Sequence, residues 1–179
     1  MNLHHPKLRA MGDEMFRFAC DLRHRPKGGR LLVMCGPSGC GKTHAARNLV
    51  RWFESVRMRI GPVVTETDEG VDSVLPSACS VSWPDVVRGF KQQRFEILDQ
   101  LEREYLTVLD DIGAEHDPSG FGVERICMIL TKRERRYSVI TTNVEPGQWR
   151  EKFETRIASR MLRNSTIIDL NEVPDYNLI

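Results

Sequence analysis

Gly36-Pro37-Ser38-Gly39-Cys40-Gly41-Lys42-Thr43 follows the apolar run Leu31-Leu32-Val33-Met34-Cys35 and precedes a stretch with helical periodicity at Ala46, Leu49, Val50 and Phe53. The eight residues match GxxxxGK[ST], and they sit between a strand-like and a helix-like segment as that motif requires. The glycines let backbone N–H groups turn inward on phosphate oxygens, where a helix N-terminus adds partial positive charge. Lys42 is positioned by this spacing to reach the β- and γ-phosphates, and Thr43 to ligate Mg²⁺ through its hydroxyl. Gly36 to Thr43, with His44 directly after, form the candidate phosphate cradle. Cys40 at the helix start is open to acidification and hence to redox chemistry, or is a bland variable position.

Outward from this loop the chain alternates strands and helices. Met11, Met15, Phe18 and Leu22 mark one face of an N-terminal helix, which the basic loop 23–30 ends. After the helix from Thr43 to about Val56, the acidic stretch 61–78 reads as an insertion or hairpin. Further strands are expected at Ala78–Ser82, Leu106–Leu109, Ser138–Thr142 and Thr166–Leu170. Between them, Trp83-Pro84-Asp85 opens a helix with proline in its first turn, and a longer helix follows to about Glu104. Val123–Arg135 reads as another. Such alternation predicts an α/β fold, a five-stranded, mostly parallel sheet flanked by helices.

The 179 residues fit one domain. Residues 1–30 are an N-terminal helix and basic linker, 31–170 the phosphate-loop core and 171–179 a tail. A net charge of +1 draws the molecule as a whole to neither nucleic acid nor membrane, so any such binding falls to a local patch. The longest apolar run is too short to cross a bilayer. Five cysteines show no CxxC pair and no histidine at metal-ligand spacing, which argues against a structural zinc and for a reducing, cytoplasmic setting.

Leu106-Thr107-Val108-Leu109-Asp110-Asp111 is an apolar strand ending in two carboxylates. Strand ends at the carboxyl edge of such a sheet face the ligand crevice, which sets Asp110 beside Mg²⁺ and makes Asp111 the candidate base for an attacking water. A helix cap or solvated turn is the plainer reading of an Asp-Asp pair. Asn143, ending Val139-Ile140-Thr141-Thr142-Asn143, is either a γ-phosphate or water contact or turn chemistry. Arg156, Arg160 and Arg163 lie beside the apolar face of Phe153, Ile157 and Met161. Arg160 projects roughly 20° from the Phe153 edge of that face, held at a boundary for presentation to a neighbouring subunit, or part of a solvated basic face.

Gly36 to His44 (GPSGCGKTH), Leu109 to Glu115 (LDDIGAE), Ile140 to Asn143 (ITTN) and Arg156 to Leu162 (RIASRML) occur in this order. Together they resemble the AAA+ ATPases of the DnaC/IstB family, which includes bacterial and phage helicase loaders and transposition helper proteins. The resemblance covers roughly residues 10 to 170. It implies ATP and Mg²⁺ as ligands, Asp110 and Asp111 as the Walker B pair, Asn143 as the sensor-1 residue, and Arg160 as an arginine finger that completes a neighbour's site in a homo-oligomer. A replicative helicase or another replication protein is the implied partner, with weak, oligomer-dependent ATP hydrolysis as the implied activity.

Helicase loaders of this kind also carry a helix before Walker B that touches single-stranded DNA. Here Val86 to Phe95 takes that place, with Arg88, Lys91 and Arg94 for the phosphates and Phe90 and Phe95 for the bases. An amphipathic helix with a core-facing phenylalanine is the alternative.

The chain also departs from the family. Only 35 residues precede Gly36, where relatives carry a segment that grips the helicase or DNA. No helical lid is expected after the fifth strand, and Asp175-Tyr176-Asn177 stands where relatives show a Tyr-Arg ending. Three other functions remain open on sequence: a transposition helper ATPase, a nucleotide-gated binding module with little hydrolysis, and a small-molecule kinase.

Overall fold

The computed structural model describes residues 5–24, 29–67, 70–117, 120–163 and 165–176. Part of the basic linker, two residues at the hairpin tip, and the last three of the tail (Asn177 among them) lie outside that set.

Five parallel strands form the central sheet in the order β4-β5-β6-β1-β7. They are β1 (Leu31–Cys35), β4 (Ala78–Ser82), β5 (Leu106–Ile112), β6 (Tyr137–Thr142) and β7 (Ser165–Asp169). The chain leaves β1, visits the far edge at β4, and returns through β5 and β6 before crossing to β7. The connections from β1 and from β6 therefore depart in opposite directions. Such a switch opens a crevice at the carboxyl ends of the strands.

Alternation along β1 divides the core. Leu32 and Met34 join Leu8, Phe18, Leu22, Leu49 and Phe53 beneath α1 (Pro6–His24) and α2 (Lys42–Ile60). Val33 and Cys35 join Trp83, Phe90, Ile126, Trp149, Phe153 and Ile157 on the other face. That face is covered by α3 (Trp83–Lys91), α4 (Glu96–Arg103), α5 (Phe121–Lys132), α6 (Trp149–Lys152) and α7 (Glu154–Leu162). Trp83 and Trp149 are fully buried, so truncating either to alanine is expected to cost about 3–5 kcal/mol.

The stretch 61–78 is a hairpin, β2 (Val63–Thr67) paired antiparallel with β3 (Gly70–Val74) apart from the main sheet. Several expected bounds change. The helix opened at Trp83 ends at Lys91, just before Gln93 adopts a left-handed φ of 60°, and the helix that follows, Glu96–Arg103, is the shorter of the two rather than the longer. Strand β5 runs on through both aspartates to Ile112, and the last strand is Ser165–Asp169 rather than Thr166–Leu170. Among the described residues no helix follows β7, and none is long and apolar enough to cross a membrane.

One buried cation fastens this frame. Arg133, 2% exposed, donates to the carbonyls of Leu101, Glu104 and Tyr137 at 2.6, 2.8 and 2.6 Å and to the Ser138 hydroxyl at 2.9 Å. Four of the five guanidinium N–H groups thus find acceptors, none of them a carboxylate, and tie the end of α4 to the start of β6.

Candidate nucleotide-binding site

The loop between β1 and α2 turns on three glycines, Gly36, Gly39 and Gly41, whose positive φ disfavours a side chain. Gly36 has φ 149° and lies so close to Leu170 that a Cβ would stand 2.8 Å from that residue's own Cβ. Gly39 has φ 71°, and a Cβ there would fall 1.7 Å from the Asp175 carboxylate. Gly41, φ 99°, caps α2 without a side chain. The backbone amides opening the helix are thus bare, with no capping hydroxyl over them, the arrangement that receives an anion.

Lys42 is 4% exposed. Its ammonium donates to the carbonyls of Gly36 and Pro37, both at 2.7 Å, and lies 3.6 Å from the Cys40 sulfur. The charge is held by neutral acceptors of its own loop rather than by a carboxylate. It therefore remains available to an incoming anion, for which charge-assisted hydrogen bonds are stronger than neutral ones.

Asp110 closes the other wall. The Thr43 hydroxyl donates to its Oδ1 at 2.9 Å and the Thr141 hydroxyl to the same oxygen at 2.6 Å. Thr141 in turn accepts the Asp111 N–H at 2.8 Å. The register explains this: Leu109 pairs with Ile140, so Asp110 and Thr141 are neighbours, and the ladder is irregular between Leu109 and Ile112. At that irregularity Asp111 takes φ 61°, a strained state for a non-glycine residue, and its carboxyl turns into the cleft. Burial first, then the adjacent Asp110, push the Asp111 carboxyl above the usual range, while Lys42 and Arg47 oppose the shift.

One cleft of about 820 Å³ joins these groups. Its walls include Ser38, Gly39, Lys42, Thr43 and His44 from the loop and early α2, Asp111 and Asn143 from the strand ends, and Tyr176. Asn143 lies 3.5 Å from the Ser38 hydroxyl across the opening. Pro37 is exposed and Cys40 fully buried, so Cys40 contributes backbone to the loop and its thiol to the core.

Sequence reasoning missed four contributors. Thr141 fixes Asp110. Arg47 and Arg51 continue the cleft wall along α2, one helical turn apart beyond Thr43; counting from Thr43 at helical spacing would have found them. Tyr176 arrives from a distant segment with no local signal.

Arg160 is elsewhere. It lines a second cavity of about 350 Å³ with Gly29, Arg30, Leu31 and Ser138, the starts of β1 and β6. The length of β1, roughly 15 Å at about 3.3 Å per residue, separates it from its own phosphate loop. Its Nη1 donates to Glu134 at 3.3 Å, and its buried Nε has no hydrogen-bond partner among the described residues.

The DNA-contact candidates divide. Phe90 is 6% exposed and packs edge-on against Phe121, so it belongs to the core and is withdrawn as a base contact. Phe95 is 44% exposed and stacks on Phe90. Arg88, Lys91 and Arg94 are exposed around it, bonded to Asp85, the His116 carbonyl and Gln92 respectively.

No family model matches the chain, and no curated protein matches its sequence. Solved structures do match. A crystal structure of the DnaC helicase loader superposes with a TM-score of 0.71, covering 94% of each chain at 17% identity. That of DnaI gives 0.75 over 96% of this chain and 85% of the other, at 20% identity. The fold is that of the AAA+ core. A replication initiator DnaA bound to AMPPCP and single-stranded DNA shares it with a TM-score of 0.64, at 14% identity, over 91% of this chain and 47% of its own. The expected AAA+ architecture of the DnaC kind is therefore present, at identities that speak for fold alone.

Proposed function

We propose that the chain is a Mg²⁺-dependent ATPase that turns over slowly, completes each active site across a contact between copies, and serves DNA replication as a helicase loader or related accessory protein. The observation that carries this reading is the Thr43–Asp110 contact at one end of the sheet, beside the cleft that Lys42, Thr43, Asp111 and Asn143 line.

The residues fit the ligands the fold implies. The cradle is glycine where a Cβ would collide, and its helix opens uncapped toward the cleft. Thr43 Oγ1 and Asp110 Oδ1 stand 2.9 Å apart. Adjacent oxygens on a magnesium octahedron, with bonds of about 2.0–2.1 Å, are separated by about the same distance. When bound, a divalent ion there neutralises charge on the β- and γ-phosphates. Lys42 then neutralises phosphate from the loop side, and Thr141 keeps Asp110 oriented. Asp111, its basicity raised by burial and by Asp110, accepts a proton from water that Asn143 helps to hold. A general base of this kind contributes about 10²- to 10⁴-fold.

Arg160 cannot serve its own chain's cleft from the opposite edge. A role in catalysis must be toward another copy, where an arginine supplied in trans stabilises transition-state charge. The replication assignment draws on the likeness to DnaC, DnaI and DnaA. Mg²⁺-dependent ATP turnover per subunit, followed over a hundredfold range of protein concentration, tests the reading. It should rise with concentration, and a flat or absent signal removes shared-site hydrolysis.

A further inference from the structure

After β7 the chain doubles back across the phosphate loop instead of leaving the sheet. The Leu170 N–H donates to the Cys35 carbonyl at 2.8 Å, and the Val173 N–H to the Leu170 carbonyl at 2.9 Å. The Tyr176 N–H then reaches the Gly39 carbonyl at 3.3 Å. Leu170 sits against Gly36 and Asp175 against Gly39, each filling the space that a glycine leaves. The position of residue 176 is thereby fixed relative to the amides of the cradle.

The Tyr176 side chain is half-buried. It packs on the core shared by α1 and α2 and also forms part of the cleft wall. The other groups lining that cleft are small or polar, apart from the His44 imidazole: Ser38, Asn48, Arg47, Arg51, Asp111 and Asn143 among them. A phenol ring on this wall offers a flat apolar face, backed by packed core, beside a site made for polyphosphate. Base–aromatic stacking contributes about 1–3 kcal/mol per base. At 820 Å³ the cleft is of the size that holds whole small-molecule ligands rather than an ion alone.

We propose that Tyr176 is the platform on which the nucleotide base stacks, so that the cleft takes a nucleoside triphosphate in preference to inorganic polyphosphate. The inference rests on the phosphate-loop reading above and adds the group that recognises the nucleoside. The backbone bond to Gly39 survives any side-chain change, so replacing the ring leaves the cradle tethered. Loss of the phenol hydroxyl alone leaves the platform intact.

Calorimetric titration of the full chain with Mg-ATP and with Mg-tripolyphosphate tests it, using the wild type, Tyr176→Leu and Tyr176→Phe. Tyr176→Leu should weaken ATP roughly 5- to 150-fold, the equivalent of the stacking contribution, while tripolyphosphate affinity stays unchanged. Tyr176→Phe should match the wild type with both ligands. Equal ATP affinity in all three proteins overturns the proposal, as does a parallel loss of both ligands in Tyr176→Leu. A wild type that binds tripolyphosphate as tightly as ATP overturns the base platform and leaves the phosphate loop standing. A wild type that binds neither overturns the phosphate-loop reading itself.

Discussion

Thr43 and Asp110 meet at 2.9 Å although 67 residues separate them in the chain. Strand β6 lies between β1 and β5, so the contact spans an intervening strand, whose Thr141 joins it as a second donor to the same oxygen. Lys42→Ala removes the ammonium beside this pair. ATP binding should weaken about 10- to 100-fold, since a hydrogen bond to a charged group contributes about 1.5–3 kcal/mol. Titration calorimetry reads this directly, and unchanged affinity would exclude the loop as the phosphate site.

Asp111→Asn keeps shape while removing basicity. Turnover should fall about 10²- to 10⁴-fold with ATP affinity within a few-fold of wild type. If turnover persists, water activation belongs to another group.

Arg160→Ala should bind ATP normally and hydrolyse it about 10³- to 10⁵-fold more slowly where the arginine acts in trans. Mixing it with Lys42→Ala provides the sharper measurement. The first protein retains an intact phosphate loop and the second an intact arginine, so the mixture should regain turnover that neither shows alone. No recovery at any ratio would count against a shared site.

Single-stranded DNA binding, if carried by α3 and the turn after it, should depend on Arg88, Lys91 and Arg94. Replacing all three with alanine should lower the slope of log affinity against log salt by about 2, at about 0.7 per phosphate contact. Phe95→Ala should weaken an oligothymidine by about 1–3 kcal/mol, as read by fluorescence anisotropy. An unaltered slope would return this surface to ordinary solvation.

Burial pushes the Glu115 carboxyl above its ordinary 4.5, against the opposing hydrogen bonds of its own backbone and of Gly113. A raised folded pKa means that the native state holds a proton which the unfolded chain has already lost. Stability from this group is therefore full below about 4.5 and declines as pH rises through the folded value. Glu115→Gln keeps an oxygen for the Gly113 N–H, 2.7 Å away in the native chain. Its melting temperature should exceed that of the wild type at pH 7 and match it near pH 4. A lower melting temperature at pH 7 would show that the ionised carboxylate stabilises the fold.

The fold was legible because its signals are local. β1 is a five-residue apolar run broken by glycine, and α1 and α2 repeat apolar residues at helical spacing. The placement of Asp110, Asp111 and Asn143 at strand ends beside the loop followed from the rule that carboxyl edges face the ligand crevice. What escaped depends on partners far along the chain. Nothing near Gln92-Gln93-Arg94 announces the left-handed residue that sets where one helix ends and the next begins. Phe90 and Phe95 look alike in sequence, yet the ring beneath Phe121 is core and its neighbour is surface. Thr141 gains its role only from register with Leu109-Asp110, and Tyr176 only from a tail that folds back over Gly39.

The nucleotide cleft and Arg160 occupy opposite edges of one sheet. A contact joining those two edges pairs unlike surfaces, so each copy added presents the same unsatisfied edge again. An open chain of n subunits then contains n − 1 finished sites and one idle terminal cleft, whereas closure into a ring finishes all n. Counting sites per subunit with a transition-state analogue whose tight binding needs the trans arginine would therefore report the geometry of the assembly without imaging it.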